Sequence, residues 1–78
     1  MKFRIGQKFE YIDWYTGGRV TLTICDLQDN KVKCHTTYHE EDGVHKGSEW
    51  FNISTDAVGE YITICEKAGT FLQIHATP

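Results

Sequence analysis

Residues 19–27, RVTLTICDL, alternate apolar and polar side chains at almost every position. Val20, Leu22 and Ile24 point to one side of an extended chain, and the residues between them point to the other. Alternation of this kind, rich in β-branched residues, is typical of a strand with one buried face and one solvent face. Gly17-Gly18 before the segment and Asp29-Asn30 after it suit tight turns, so the stretch predicts the central strand of a meander.

The same pattern, followed outward from residues 19–27, predicts six antiparallel strands in one domain of 78 residues. A flat sheet of this size would expose both faces to solvent, so it must curl or fold over to bury its apolar face. We therefore expect an all-β domain, a six-stranded meander closed into a small SH3-like or up-and-down barrel, or folded as a small sandwich. Residues 41–47 are expected to be its longest loop. The predicted strands are Phe9 to Tyr15, Arg19 to Leu27, Val32 to Glu40, Ser48 to Thr55, Glu60 to Glu66 and Thr70 to Ala76.

The register of the first strand decides which of its side chains are buried. A two-residue loop before the second strand would bury Asp13, which is costly for a carboxylate without a partner. A three-residue loop would instead bury Ile12 and Trp14 and leave Tyr11 and Tyr15 on the outer face. The register with the three-residue loop is favoured because it leaves Asp13 exposed to solvent. The expected core comprises Val20, Leu22, Ile24, Val32, Phe51, Ile53, Ile62, Ile64, Leu72 and Ile74.

Charge and cysteine content limit the classes of partner and compartment. The net charge of −3 and the scattered lysines and arginines predict no basic face, which argues against a directly bound nucleic acid. Three cysteines and no apolar leader favour free thiols in a reducing, cytoplasmic compartment. The absence of a long apolar run argues against a membrane span.

Motifs for catalysis are missing from the chain. It contains no G-x-S-x-G, G-x-G-x-x-G, P-loop or H-E-x-x-H pattern, so we expect neither an enzyme nor a bound cofactor. His39 and His45 flank three carboxylates and are weak candidates for metal ligands. A metal site needs three or four convergent ligands, and a solvated acidic loop is the preferred interpretation.

The aromatic residues suggest a binding surface. Phe51 keeps phase with Ile53 in the core, so Trp50 should point outward, as aromatic anchors of protein interfaces do. The expected partner-binding residues are Tyr11, Tyr15 and Trp50, together with the acidic residues Glu40, Glu41 and Asp42.

These features favour a non-catalytic domain that acts by stoichiometric binding to a protein. Small acidic domains of this type are often accessory proteins of phages or mobile elements, for instance anti-CRISPR-type inhibitors of a host nuclease or defence complex. The main alternative is a small-ligand or metal-binding β-barrel with residues 39–45 at its mouth. A homodimer through Trp50 also fits. A barrel that binds single-stranded nucleic acid is disfavoured, because stacking of bases on Trp50 needs a positive groove and Glu40, Glu41, Asp42 and Glu49 are negative.

Overall fold

The computed structural model describes residues 2–13, 16–65 (residue 65 by its backbone only) and 71–77. Within these ranges the chain is all-β, with seven strands and no helix. The same ranges therefore contain no helix that is long and apolar enough to cross a membrane. The strands form two antiparallel sheets, of order β1-β2-β3-β4 and β5-β6-β7. Their bounds are β1 (Lys8–Ile12), β2 (Arg19–Gln28), β3 (Lys31–Glu40), β4 (Gly43–Asn52), β5 (Ser54–Thr55), β6 (Glu60–Cys65) and β7 (Phe71–His75).

Strand β2 has the alternation predicted for it. Val20, Leu22 and Ile24 are each at most 1% exposed, whereas Thr21 and Thr23 between them are only half-buried. The turn into β3 places Asp29 at a φ of 51°, a left-handed conformation that aspartate tolerates better than most residues. Both the strand and the turn residues therefore follow from local sequence.

The predicted long loop at residues 41–47 is wrong. Glu40 pairs with Gly43, so only Glu41 and Asp42 form the turn, and β4 pairs with β3 over ten positions. Glycine, lysine and histidine are poor strand formers, which is why the sequence indicated a loop. The ladder forms because β3 satisfies the backbone groups of β4 whatever its side chains are.

The favoured register of the first strand is also wrong. Phe9 pairs with Leu22 and Tyr11 with Val20, so both aromatic rings face the core, while Ile12 is 60% exposed. The connection to β2 spans residues 13–18 instead of two or three, and is closed by the Asp13 amide donating to the Gly18 carbonyl at 2.9 Å. A one-residue change in register exchanges the faces of a strand. Trp14 lies outside the described residues.

The closed barrel is not formed over the described residues, where the predicted meander is divided between the two sheets. The division falls at Ile53, between β4 and β5. The Ile53 amide donates a hydrogen bond to the Asn30 carbonyl at 2.7 Å. Residues from both sheets pack into one core. Six of the ten expected core residues are buried (Val20, Leu22, Ile24, Val32, Ile62 and Ile64), and the other four, Phe51, Ile53, Leu72 and Ile74, pack half-buried against them.

The segment before β1 contributes to this core, which the sequence did not indicate. Phe3 is 4% exposed and packs edge-on against Phe9, with ring centroids 5.9 Å apart. Its amide donates to a carboxylate oxygen of Glu60 on β6 at 2.9 Å. The Gln7 side-chain amide donates to the Thr77 carbonyl at 3.0 Å. Residues 2–7 therefore connect the first sheet to the second.

Gly18 sits where another residue would not fit. A Cβ atom on Gly18 would lie 2.8 Å from the backbone oxygen of His39, which belongs to β3 and cannot move freely. We expect Gly18→Ala to lower the free energy of unfolding by about 1–3 kcal/mol through this overlap. The matched control is Gly47→Ala, whose Cβ would meet only the Thr36 hydroxyl at 3.9 Å and should leave stability nearly unchanged. Urea unfolding of both variants measures the difference, and equal midpoints would contradict the close approach.

Candidate functional site

The expected aromatic surface is not assembled in the structure. Trp50 lies on the outer face of β4, 40% exposed and opposite Lys33. Tyr11 lies on β1, at the other edge of the same sheet, and faces the core, where it is half-buried. Tyr15 lies outside the described residues. The prediction that Tyr11 and Trp50 share one outer surface is therefore wrong, and only Trp50 is presented as expected.

The acidic residues form a separate feature. Glu40, Glu41 and Asp42 are all exposed at the turn between β3 and β4. Trp50 lies eight residues farther along the chain, or about 27 Å at the rise of an extended strand. The carboxylates and the tryptophan are thus placed at opposite ends of β4 and cannot contact the same small patch of a partner.

A cluster of possible metal ligands occurs at the same turn. Ligand atoms of Glu40, Asp42 and His45 lie within 4.8 Å of one another, and His45 Nε2 is 3.3 Å from an Asp42 carboxylate oxygen. His39 cannot join them, because it pairs with Val44 and so points to the opposite face of the hairpin. All three clustered residues are exposed, as solvated acidic residues commonly are. Of the two weak candidates, His45 therefore belongs to this cluster and His39 does not, and metal binding stays a prediction.

The described cysteines are free thiols with different surroundings. Cys34 is buried in the core, and burial, with smaller contributions from Cys25 and Glu49, raises the pKa of its thiol to about 11. A thiol of that pKa is almost entirely protonated at neutral pH, so Cys34 lacks the thiolate that a nucleophile requires. Cys25 lies at a bulge in β2, where its sulfur donates to the Lys33 carbonyl at 3.4 Å. The Cys65 side chain lies outside the described atoms.

Asp56 and His75 form the closest side-chain pair described in the molecule. His75 Nε2 lies 2.8 Å from one oxygen of Asp56, and the other oxygen accepts hydrogen bonds from the amides of Val58 and Gly59. The hydrogen bond from His75, together with those from the two amides, lowers the pKa of Asp56 below its ordinary value. The His75 ring also packs against Tyr61, with centroids 5.1 Å apart. These contacts fasten the turn before β6 to β7, which is a structural role.

Strand β4 offers an open backbone edge. It stands at the end of its sheet, and among residues 2–13, 16–65 and 71–77 the only strand hydrogen-bonded to it is β3. Every residue from Gly43 to Trp50 is exposed. Half of the backbone amides and carbonyls of an edge strand point away from the sheet and can pair with another chain.

The outer face of the four-stranded sheet carries a feature that is invisible in the linear sequence. Paired residues of an antiparallel sheet project to the same side, so the register assigns each side chain to a face. Five of the eight lysine and arginine residues fall on the face turned away from the core, against two carboxylates, Glu10 and Asp26. The expectation of no basic face is therefore wrong. The five are Lys8, Arg19, Lys31, Lys33 and Lys46.

The negative charges placed near Trp50 by sequence lie elsewhere in space. Glu49 pairs with Cys34 and so points to the core side, whereas Trp50 points to the outer side beside Lys33. The acidic turn lies at the far end of the strand. Combining the alternation of β1–β4 with the correct register would have revealed the basic face, but the register was not available from the sequence.

A pocket among the described residues lies away from the turn that was expected to hold a ligand. An open depression lies beside the turn between β2 and β3, lined by residues 28–31 with Asn52 and Ile53. It is at the opposite end of β3 from residues 39–45, which were expected to form the mouth of a ligand-binding barrel. Comparisons with protein-family models, curated proteins and solved structures find no match for this chain.

Proposed function

We propose that this chain is a non-catalytic binding protein that associates stoichiometrically with a protein partner by pairing strand β4 with an extended segment of that partner. The edge of β4 carries the proposal, since among the described residues about half of the backbone groups of this ten-residue strand have no strand beside them to pair with. Proteins usually protect such an edge with charged side chains, proline, a bulge or a covering loop. Lys46 and Glu49 supply charges on β4. β4 contains no proline and pairs with β3 without a bulge. An edge left open in this way is a template for strand addition.

Trp50 supports the same surface as an anchor beside the added strand. It is 40% exposed on β4, next to the open edge, and a large amphipathic ring loses little entropy when a partner covers it. Truncation of a central aromatic anchor typically costs about 2 kcal/mol or more of binding energy. We therefore assign Trp50 the largest side-chain contribution at this edge.

The acidic turn supports a contribution to the rate of association. Glu40, Glu41 and Asp42 are exposed at the turn that precedes β4, at one end of the proposed pairing edge. Exposed carboxylates attract basic surfaces and raise the association rate in a salt-dependent way. The narrower role as a phage-type inhibitor of a host nuclease or defence complex stays a prediction, because no contact in the described residues bears on it.

Photo-crosslinking from the edge of β4 tests the proposal. A benzophenone amino acid replaces Ser48 on β4 in cells of the native host, and the control replaces Thr63, exposed on the outer face of the other sheet. We expect a discrete protein to be crosslinked from position 48 and not from position 63. Titration of that protein, once purified, should show one partner bound per chain.

Proline substitution provides the second arm. Neighbouring residues of an edge strand point their amides alternately toward the sheet and away from it. Lys46→Pro and Gly47→Pro therefore remove amides that point in opposite directions. The variant that loses the outward amide should keep the fold, and a thermal melt identifies it. We expect the folded variant to lose the crosslink from position 48. Equal crosslinking from positions 48 and 63, or full retention of the crosslink in the folded proline variant, would contradict strand addition.

A further inference from the structure

We infer that the outer face of the four-stranded sheet is a binding surface for single-stranded nucleic acid. The inference does not require the proposed strand addition, which uses the backbone edge of β4, although Trp50 borders both surfaces. Residues that pair across strands β1–β4 form rows perpendicular to the strands. The inference rests on five basic side chains that lie in five successive rows of the outer face. In order along the sheet, these residues are Arg19, Lys46, Lys8, Lys33 and Lys31.

Each basic residue occupies a different row. Arg19 lies in the row of His39, Lys46 in the row of Thr37 and Lys8 in the row of His35, followed by Lys33 and Lys31 in their own rows on β3. Rows two residues apart are about 6.8 Å apart, so the five span about 27 Å. The five also lie on different strands, with Lys46 on β4 and Lys8 on β1, so the cations are spread across the face as well as along it. The face therefore offers a field of positive charge on which an extended single strand can place several phosphates.

Two carboxylates share this face, Glu10 near Arg19 and Asp26 across from Lys33, and the five cations outnumber them. A Glu10 oxygen lies 3.9 Å from Arg19 Nε, and an Asp26 oxygen accepts a hydrogen bond from the Leu27 amide at 2.8 Å. Within the described residues, no carboxylate lies at ion-pair distance from any of the four lysines on this face. The lysines are thus available to a polyanion, although the whole chain has a net charge of −3.

The other side chains of the face suit a single strand. Trp50 lies across from Lys33, so a base can stack on its indole while the lysine contacts the adjacent phosphate. Thr21 and Thr37, paired in the middle of the face, offer hydroxyl groups for hydrogen bonds. An acidic protein would also be attracted to the lysines, but the exposed indole beside Lys33 suits a stacked base and not a carboxylate side chain. We therefore assign the face to nucleic acid, and binding of an acidic polypeptide becomes a competing outcome.

Fluorescence anisotropy with labelled oligothymidylate, compared with a labelled polyglutamate peptide of equal length, tests the inference. Contact with about four phosphates predicts a slope of about −2.8 for log K against log salt, so raising potassium chloride fourfold should weaken binding about 50-fold. We expect the oligothymidylate to bind more tightly than polyglutamate at every salt concentration. Failure of the oligothymidylate to bind at low salt would overturn the inference, as would equal or tighter binding of polyglutamate.

Neutral substitutions locate the site. Lys46→Gln and Lys33→Gln should each reduce the salt slope by about 0.7, the contribution of one phosphate contact on a single strand. Lys2→Gln removes an exposed lysine outside the face and serves as the control. Trp50→Ala should weaken binding about tenfold without changing the slope, because stacking releases no counterions. An equal loss from Lys2→Gln, or unchanged slopes in both face variants, would overturn the assignment. These lysines are not needed for strand addition. A negative result with oligothymidylate therefore does not count against the pairing of β4, which the crosslinking experiment tests separately.

Discussion

Replacement of Phe3 by alanine is expected to lower the free energy of unfolding by about 3–5 kcal/mol. The ring is 4% exposed, contacts Phe9 and lies where the N-terminal segment connects the two sheets. Its removal leaves a cavity lined by residues of both sheets, and a domain of this size has little stability to spare. Urea unfolding followed by circular dichroism measures the loss.

Phe71→Ala is the matched control for Phe3→Ala. Phe71 is 67% exposed on β7, so the same atoms are removed from a position that is already hydrated. We expect its unfolding midpoint to remain close to that of the parent protein. If Phe3→Ala does not fold at all, Phe3→Leu retains most of the buried volume and should give a measurable, smaller loss. Equal midpoints for Phe3→Ala and Phe71→Ala would refute the role of the N-terminal segment in the core.

The second large effect is expected from Ile24→Ala, which should cost about 2–5 kcal/mol. Ile24 is 1% exposed at the centre of the core. Ile12→Ala is the matched control, because Ile12 is 60% exposed in the observed register but would be buried in the register that the sequence favoured. We expect Ile12→Ala to change stability by less than about 0.5 kcal/mol. Comparable losses from the two variants would restore the sequence-based register.

Local pattern was sufficient for the central strands. The alternation of β2, with Val20 and Leu22 buried and threonines between them, follows from period two and needs no knowledge of the neighbouring strands. The same holds for the outward position of Trp50, since Phe51 next to it packs against the core. Each of these expectations concerns residues within one strand.

Expectations that involve two strands failed more often. The connection between β1 and β2 has six residues instead of the favoured three, and this change from an odd to an even number turned Tyr11 inward and Ile12 outward. The segment around Lys46 became a strand because β3 was long enough to pair with it, despite its low strand propensity. Phe3 entered the core from a segment with no periodic pattern. None of these results could be read from short-range sequence.

The sequence by itself determined the all-β class, the alternation of side chains along the central strands and most of the core. The tertiary structure decided the division into two sheets, the open edge of β4 and the basic outer face. The physical reason is that alternation fixes only which side chains of one strand share a side. A surface needs several strands held in register, and register depends on loop length and on packing between residues far apart in the chain. Lysines scattered along the sequence therefore became neighbours only when the strands paired.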